Sequence, residues 1–280
     1  TRSGPQSRGL GDVYKRQKYD KDTLAKIERV EKLQSDIKSL EEEVKRLLAI
    51  KAEQDESGEQ IRAFRGDGDR QYLTGLRLGG ERTLILVDRS ASMLSDRLVN
   101  IIRRRNLPEA EQLRSRKWRQ VIATANWLTT QFQEDDLYQI YMFNNVTEPV
   151  IRGTDGVWLE VSDHGKLDKA IAVLRQTAPI GGTSLHHAFA AAKAMNPPPD
   201  NIVLLTDGLP TQGERAPRRK TISSKDRLRL LERSLDALPR RVPVNVILYP
   251  MEGDPMASPA FWKVAMATRG SLMTPSSDWP

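Results

Sequence analysis

The chain has 280 residues, of which 38% are hydrophobic and 29% are charged, and it contains no cysteine. This length allows one large α/β domain with an appended segment, or two small domains. The lack of cysteine excludes disulfides, thiolate catalysis and zinc sites with cysteine ligands. No segment approaches the roughly 20 consecutive apolar residues of a membrane span, and the net charge of +7 is unevenly distributed along the sequence.

The first segment, residues 1–17, has no apolar periodicity and begins without methionine. We expect it to be a non-native or disordered leader. Without its excess of basic residues the net charge falls to about +4, which weakens any argument from overall basicity. The missing methionine leaves two expectations open for localisation: a cytoplasmic protein, or a membrane-anchored one if an upstream segment is absent.

Residues 18–57 have the pattern of a coiled-coil helix. Apolar residues alternate at spacings of three and four, with β-branched residues at heptad position a (Val30, Ile37, Val44) and leucines at position d (Leu33, Leu40, Leu47). This combination favours a parallel two-stranded coil and therefore predicts a homodimer through this helix. The alternative is a single amphipathic helix packed against the domain or another protein. Residues 58–79, rich in glycine and aspartate, then predict a flexible linker.

From residue 80 to residue 276 apolar strands alternate with amphipathic helices, which predicts a mainly parallel sheet with helices on both faces. The expected strands, six in all, are 83–87, 137–143, 158–161, 201–206, 242–249 and 271–274. The expected helices are 117–132, 167–174, 185–195, 225–238 and 261–268. A charged stretch, 94–116, interrupted by Pro108, lengthens the connection that follows the first strand.

The most informative feature is the end of the first strand, where an apolar run leads into Asp88, Ser90 and Ser92. Open α/β sheets bind ligands at the carboxyl ends of their strands, and oxygen donors without cysteine or histidine suit a hard cation such as Mg²⁺. The same residue types are also typical of a helix N-cap. Two later residues favour the metal site: Thr183 in a glycine-hinged loop, and Asp207 directly after another apolar strand.

Together, Asp88, Ser90, Ser92, Thr183 and Asp207 resemble the metal-ion-dependent adhesion site of von Willebrand factor A domains. The order of the motifs is similar to that family from about residue 82 to residue 274. The resemblance implies an α/β fold, a doubly wound, mainly parallel six-stranded sheet of the Rossmann-like type. It also implies Mg²⁺ or Mn²⁺ held directly by the two serines, by Thr183 when the site is engaged, and by the two aspartates directly or through water. A partner protein's Asp or Glu carboxylate would fill the open metal position, and the chain would be a binding module, not an enzyme.

Four neighbours of these ligands are expected to form a rim that contacts the partner: Arg89, Gly182, Ser184 and Gly208. Arg89 is expected to point outward, because side chains alternate between the two faces of a strand. One departure from the commonest family pattern is Ala91, which stands where glycine is frequent and restricts the loop slightly. Neither feature removes a ligand.

A metal-dependent hydrolase is one alternative function. A serine nucleophile needs an adjacent base, and the only histidines are His164, His186 and His187. The last two follow Thr183 closely, but neighbours in a helix point about 100° apart. We therefore expect no catalysis.

Nucleic-acid binding is the other alternative, through two basic regions, 103–119 and 215–229. Such clusters bind phosphates through counterion release, but neither region has aromatic residues at the density of a stacking platform. The basic residues are Arg103, Arg104, Arg105, Arg114, Arg116, Lys117 and Arg119 in the first region, and Arg215, Arg218, Arg219, Lys220, Lys225, Arg227 and Arg229 in the second. We expect solvated helix faces and loops, or an acidic protein partner, to explain this charge.

Overall fold

The computed structural model describes residues 79–215, 222–276 and 279. The predicted leader and coiled coil, and all of the linker but residue 79, lie outside these residues. The strands are β1 (Arg82–Asp88), β2 (Leu137–Phe143), β3 (Thr147–Pro149), β4 (Leu159–Glu160), β5 (Asn201–Thr206), β6 (Val244–Leu248) and β7 (Leu272–Met273). They form one sheet in the order β3-β2-β1-β5-β6-β7, and β4 also pairs with β2. Five adjacent strands are parallel to one another: β2, β1, β5, β6 and β7. The two others, β3 and β4, are antiparallel to β2.

All six predicted strands are present, and β3 is a seventh that the sequence pattern did not indicate. It returns beside β2 after the tight turn at Asn144 and Asn145, so that Thr147 pairs with Phe143. Three residues are too few to show the alternation by which a strand is predicted. The expected fold class, a doubly wound and mainly parallel sheet, is confirmed.

The helices lie between these strands in chain order. They are α1 (Leu98–Arg104), α2 (Glu109–Leu113), α3 (Arg116–Thr129), α4 (His164–Gln176), α5 (Leu185–Ala194), α6 (Ser224–Ser234) and α7 (Ala257–Thr268), with 3₁₀ turns at Ala91–Leu94 and Leu235–Ala237. The charged stretch 94–116 thus contains two short helices, and Pro108 precedes the second of them. None of the helices in the described part of the chain is long and apolar enough to cross a membrane.

Two hydrophobic cores lie on opposite faces of the sheet, because side chains alternate along its strands. On β1, Ile85 and Val87 enter the core shared with α3 and α4, whereas Leu84 and Leu86 enter the core shared with α5, α6 and α7. Helices therefore cover both faces, which explains why β1 and β5 are continuous apolar runs.

The register of the two central strands brings the predicted ligands together. Val87 of β1 pairs with Leu205 of β5, so the next residues, Asp88 and Thr206, end their strands side by side. Asp207 follows directly. The carboxyl edge of β1 and β5 is consequently the place where two separate carboxylates meet.

Candidate functional site

Asp88 is fully buried at the end of β1, and both of its carboxylate oxygens accept hydrogen bonds. Oδ1 accepts from the Ser90 amide at 2.8 Å, and Oδ2 accepts from the Thr206 hydroxyl at 2.8 Å. Burial, and next the negative charge of Asp207, raise the pKa of Asp88 to about 7, although the bonds from Ser90 and Thr206 oppose the rise. The carboxylate is therefore fixed in position but lacks a full counter-charge.

The two serines connect the strand ends through a chain of hydroxyls. Ser90 Oγ and Ser92 Oγ are 2.8 Å apart, and Ser92 Oγ donates to Asp207 Oδ1 at 2.8 Å. Since a serine has one hydroxyl proton, Ser90 is the donor to Ser92. The 3₁₀ turn Ala91–Leu94 begins here, with the Met93 amide donating to the Ser90 carbonyl at 3.0 Å. This tight turn directs both hydroxyls to the same side.

Thr183 lies beside this group in the loop before α5. Its amide donates to Thr211 Oγ1 at 2.9 Å, which attaches it to the loop after Asp207. Gly181 lies two residues before Thr183, and its φ of +85° favours glycine. Its carbonyl accepts a hydrogen bond of 3.1 Å from the Ala91 amide. The Thr183 hydroxyl makes no hydrogen bond to any residue that the structure describes. The bond from Ala91 to Gly181 thus brings the loop that carries Thr183 to the turn that carries the serines.

Two of the four expected rim residues lie at least partly at the surface. Arg89 points away from Asp88 toward Glu148, with Nη2 3.4 Å from Oε2, and its side chain is only 16% exposed. Gly182 is half-buried, and its amide donates to Asn145 Oδ1 at 2.8 Å. A Cβ on Gly182 would lie 2.8 Å from Thr211 Oγ1, so the close approach of the two loops requires glycine.

The other two expected rim residues, Ser184 and Gly208, are buried and do not lie at the surface. Ser184 caps α5, because its hydroxyl accepts from the His187 amide and donates to the Gly213 carbonyl at 2.8 Å. Gly208 packs against Asp254, and a Cβ there would lie 2.7 Å from Oδ2. Helix capping and loop packing hold these two residues inside the domain.

Lys117 lies at this site, although the sequence pattern did not indicate a role for it there. Its side chain is 3% exposed, and its Nζ lies 2.7 Å from Asp207 Oδ2. Lys117 belongs to the basic region 103–119, but it precedes Val121 by four residues and so continues the buried stripe of α3. A lysine on such a stripe signals a buried acidic partner, because unpaired charges are rarely buried.

A second buried ion pair holds the loop that carries Asp207. Asp254 Oδ2 accepts from the Leu209 amide at 2.7 Å and lies 2.7 Å from Arg227 Nη2. Arg227 also donates to the Leu209 carbonyl. Both backbone groups of Leu209 are therefore fixed two residues after Asp207.

The donor set fits a hard divalent cation. It offers two carboxylates and neutral hydroxyls, the oxygen ligands that Mg²⁺ and Mn²⁺ prefer. With both carboxylates ionised, Asp88, Asp207 and Lys117 have a net formal charge of −1. Burial is the main cause of the raised pKa of Asp88, and the charge of Asp207 adds to it. No group of three or more His, Cys, Asp or Glu side chains able to hold a metal occurs among residues 79–215 and 222–276. The site depends on its hydroxyls to complete the ligand set.

The histidines do not supply a base to the serines. His187 Nδ1 contacts the Asn145 carbonyl at 2.7 Å, and the His186 ring packs edge-on against it. In the described part of the chain, no histidine hydrogen-bonds to Ser90 or Ser92. The arrangement therefore lacks the nucleophile–base pair of a serine hydrolase.

Several members of the basic regions are neutralised within the domain. Arg114 pairs with Glu111, Lys117 with Asp207, Arg227 with Asp254, and Arg229 with Asp226. Residues 216–221 of the second region lie outside the described residues. The positive charge of the two basic regions that could contact phosphates is therefore smaller than the sequence indicates.

No family model matches the chain, and no curated protein matches it. The fold is similar to a solved von Willebrand factor type A structure from Catenulispora acidiphila, with a TM-score of 0.51 and 16% identity. That match covers 70% of this chain and 38% of the Catenulispora chain, so this chain spans well under half of that protein. At this identity the likeness concerns the fold alone.

Two more distant structures are also similar. One is an aerotolerance-related membrane protein from Bacteroides fragilis, with a TM-score of 0.41, 16% identity, and coverage of 71% of this chain and 94% of that one. The other is proximal thread matrix protein 1 from the mussel byssus with a zinc-occupied MIDAS motif, with a TM-score of 0.37, 15% identity, and coverage of 70% and 42%.

Proposed function

We propose that this domain binds a partner protein through a divalent cation, Mg²⁺ or Mn²⁺, held by Asp88, Ser90, Ser92, Thr183 and Asp207. The partner contributes an Asp or Glu carboxylate to the open metal position. The chain acts as an adhesion or complex-assembly module and not as an enzyme.

The observation that carries this proposal is the hydrogen-bonded chain from Ser90 through Ser92 to Asp207, beside the buried Asp88. Four oxygen-bearing side chains from two strands converge on one edge of the sheet. When bound, the cation supplies a Lewis-acidic position that attracts a carboxylate. The neutral serines contribute ligands without adding negative charge, and the two aspartates supply the charge that retains the cation.

The protein's own residues prepare the site before any ligand arrives. Thr206 orients Asp88, Ser92 orients Asp207, and the bond from the Ala91 amide to the Gly181 carbonyl holds the Thr183 loop close. Such preorganisation lowers the loss of entropy on binding. Because no histidine base accompanies the serines, the same geometry favours binding over hydrolysis.

A Mg²⁺-dependent pull-down from lysate of the source tests the function. The bait is the full chain, with Asp88→Ala and Thr183→Ala as variants, and each bait is washed in Mg²⁺ or in EDTA. We expect the same partners to be lost in both variants and in EDTA. The matched control is Asp163→Asn. Asp163 is an acidic residue that caps α4, and it lies near the amino edge of the sheet, where β4 pairs with Leu137.

Three outcomes count against the proposal. Partners retained by Asp88→Ala, Thr183→Ala and the EDTA wash would show that binding does not use the cation. Mg²⁺-dependent hydrolysis by the purified chain that disappears in Asp88→Ala would replace the binding function with an enzymatic one. Binding of DNA with steep salt dependence and no sensitivity to EDTA would instead support the basic regions.

A further inference from the structure

The ammonium group of Lys117 is surrounded by four hydrogen-bond acceptors in the candidate site. Its Nζ lies 2.7 Å from Asp207 Oδ2 and 2.9 Å from the Pro250 carbonyl, with the Ser92 and Ser95 carbonyls at 3.4 Å. Three of these four acceptors are neutral. A buried ammonium requires such partners, so the structure holds this positive charge at one fixed place.

The two oxygens of Asp207 have different partners. Oδ1 accepts from Ser92, on the side of the serine hydroxyls, whereas Oδ2 contacts Lys117. The ammonium therefore does not occupy the side of the carboxylate that faces the proposed ligand set. A cation among the serines and Lys117 can both contact Asp207, each through its own oxygen.

The lysine changes the charge of the whole site. With both carboxylates ionised, Asp88, Asp207 and Lys117 have a net formal charge of −1, so a site loaded with a divalent cation has a charge of +1. Without the lysine the loaded site would be neutral. The nearby Arg227–Asp254 pair is neutral as a unit and leaves this balance unchanged.

We propose that Lys117 is a built-in cation that coexists with the metal and sets the charge of the loaded site. By repelling the metal it weakens metal binding, and by keeping the loaded site positive it strengthens binding of a partner's carboxylate. This inference rests on the proposed function and adds a specificity: the site prefers acidic ligands to neutral oxygen ligands. The lysine acts by charge and position, without contacting the partner.

The test compares a neutral and a charged replacement. Lys117→Met keeps the unbranched stem and removes the charge, Lys117→Gln is a second neutral variant that can still donate a hydrogen bond, and Lys117→Arg keeps the charge. Mn²⁺ alone is the first probe, measured by the electron paramagnetic resonance signal of the free ion. Unit charges a few ångströms apart interact strongly inside a protein, so we expect the neutral variants to bind Mn²⁺ about tenfold more tightly than wild type. Lys117→Arg keeps the positive charge, so its Mn²⁺ affinity should stay within about twofold of wild type.

Acetate is the second probe, with Mn²⁺ saturating in every sample. Broadening of the acetate methyl proton resonance reports how closely the carboxylate approaches the ion. We expect the acetate dissociation constant to rise about tenfold in Lys117→Met and Lys117→Gln, opposite in sign to the change in Mn²⁺ affinity. Asp88→Asn provides the background from Mn²⁺ bound elsewhere.

The outcomes separate this inference from the proposed function. If wild type binds Mn²⁺ and the neutral variants bind Mn²⁺ and acetate with the same affinities as wild type, the role of Lys117 is overturned. The proposed metal site is then unaffected. If wild type does not bind Mn²⁺ but the neutral variants do, the lysine takes the place of the metal. This result overturns both the inference and the proposed function. Wild type and neutral variants that all fail to bind Mn²⁺ also overturn both. Loss of folding in both neutral variants, with Lys117→Arg folded, also counts against the inference, because the charge would then serve stability alone.

Discussion

The Thr206 hydroxyl donates a hydrogen bond of 2.8 Å to Asp88 Oδ2 and so joins the ends of β1 and β5. Thr206→Val removes this donor while preserving the shape of the side chain. We expect the free energy of unfolding to fall by about 1 kcal/mol or more. Because the bond lowers the pKa of Asp88, its loss should also weaken Mn²⁺ binding at pH 7. Chemical unfolding and Mn²⁺ titration measure the two effects.

The matched control for this change is Thr177→Val. Thr177 also donates its hydroxyl to a single acceptor, the Val173 carbonyl, at 2.8 Å, but within its own helix end and not to a carboxylate. This variant should retain Mn²⁺ affinity. Equal loss of Mn²⁺ affinity in both variants would mean that Thr206 acts through general stability and not through Asp88.

The stability of the metal-free protein should depend on pH through Asp88. Its pKa is raised to about 7 in the folded protein, whereas an exposed aspartate titrates near about 3.9. Between these values the folded state holds a proton that the unfolded chain has lost. The contribution of this group to the free energy of unfolding therefore falls as the pH rises from about 4 to about 7.

Chemical unfolding in EDTA at several pH values between 5 and 8 measures this slope. In Asp88→Asn the side chain does not titrate, and the slope should become shallower than in wild type. If wild type and Asp88→Asn show parallel stability curves, Asp88 is ionised throughout this range in the folded protein.

A divalent cation should reverse this destabilisation at neutral pH. A ligand that binds only the folded state stabilises it according to its concentration relative to its dissociation constant, by about 2.7 kcal/mol at a hundredfold excess. Mg²⁺ should therefore raise the melting temperature of wild type but not of Asp88→Asn. The exposed variant Asp163→Asn is the control and should respond as wild type does. An increase of the same size in Asp88→Asn would place the ion elsewhere.

The main features of the sheet could be predicted from the sequence because its central strands are buried on both faces. The continuous apolar runs of β1 and β5 end in Asp88 and Asp207, and parallel strands place such ends along one edge. β3 could not be predicted, because its pairing depends on a turn at Asn144 and three residues that show no alternation.

The sequence pattern did not indicate the ion pair of Lys117 or the buried position of Ser184, because both depend on the folded structure. Lys117 is 90 residues from Asp207, and only the packing of α3 on β1 and β5 brings the two together. Ser184 could be placed near Thr183 from the sequence, but whether its hydroxyl faced a partner or capped α5 depended on the local turn. The residue types of the ligand set were visible, whereas the charges that balance it were not.

Gly208→Ala should displace the loop that carries Asp207. A Cβ there would lie 2.7 Å from Asp254 Oδ2, an atom that also holds the Leu209 amide and Arg227. We expect a loss of about 1–3 kcal/mol in the free energy of unfolding, together with weaker Mn²⁺ binding. Chemical unfolding and Mn²⁺ titration of the variant report both.

Gly165→Ala is the matched control, because a Cβ there would be 3.5 Å from its nearest neighbour, Asp163 Oδ1, an ordinary contact. It should leave Mn²⁺ affinity unchanged. Unchanged Mn²⁺ affinity in Gly208→Ala would show that Asp207 keeps its place without the packing of Asp254 on the loop.

The coiled coil predicted for residues 18–57 would make the proposed binding module a dimer, and a single added charge should then separate the two chains. Leu40 occupies the d position of the central heptad, so Leu40→Lys places two lysines within the seam, where burial of unpaired charge is strongly unfavourable. Ser39→Lys adds the same charge at heptad position c, outside the seam. Sedimentation of the full chain should give a dimer for wild type and Ser39→Lys and a monomer for Leu40→Lys.

A dimer also links two weak sites, so a multivalent partner should dissociate from Leu40→Lys about a hundredfold more readily. A monomer for wild type would show that the helix packs within one chain and that each site binds alone.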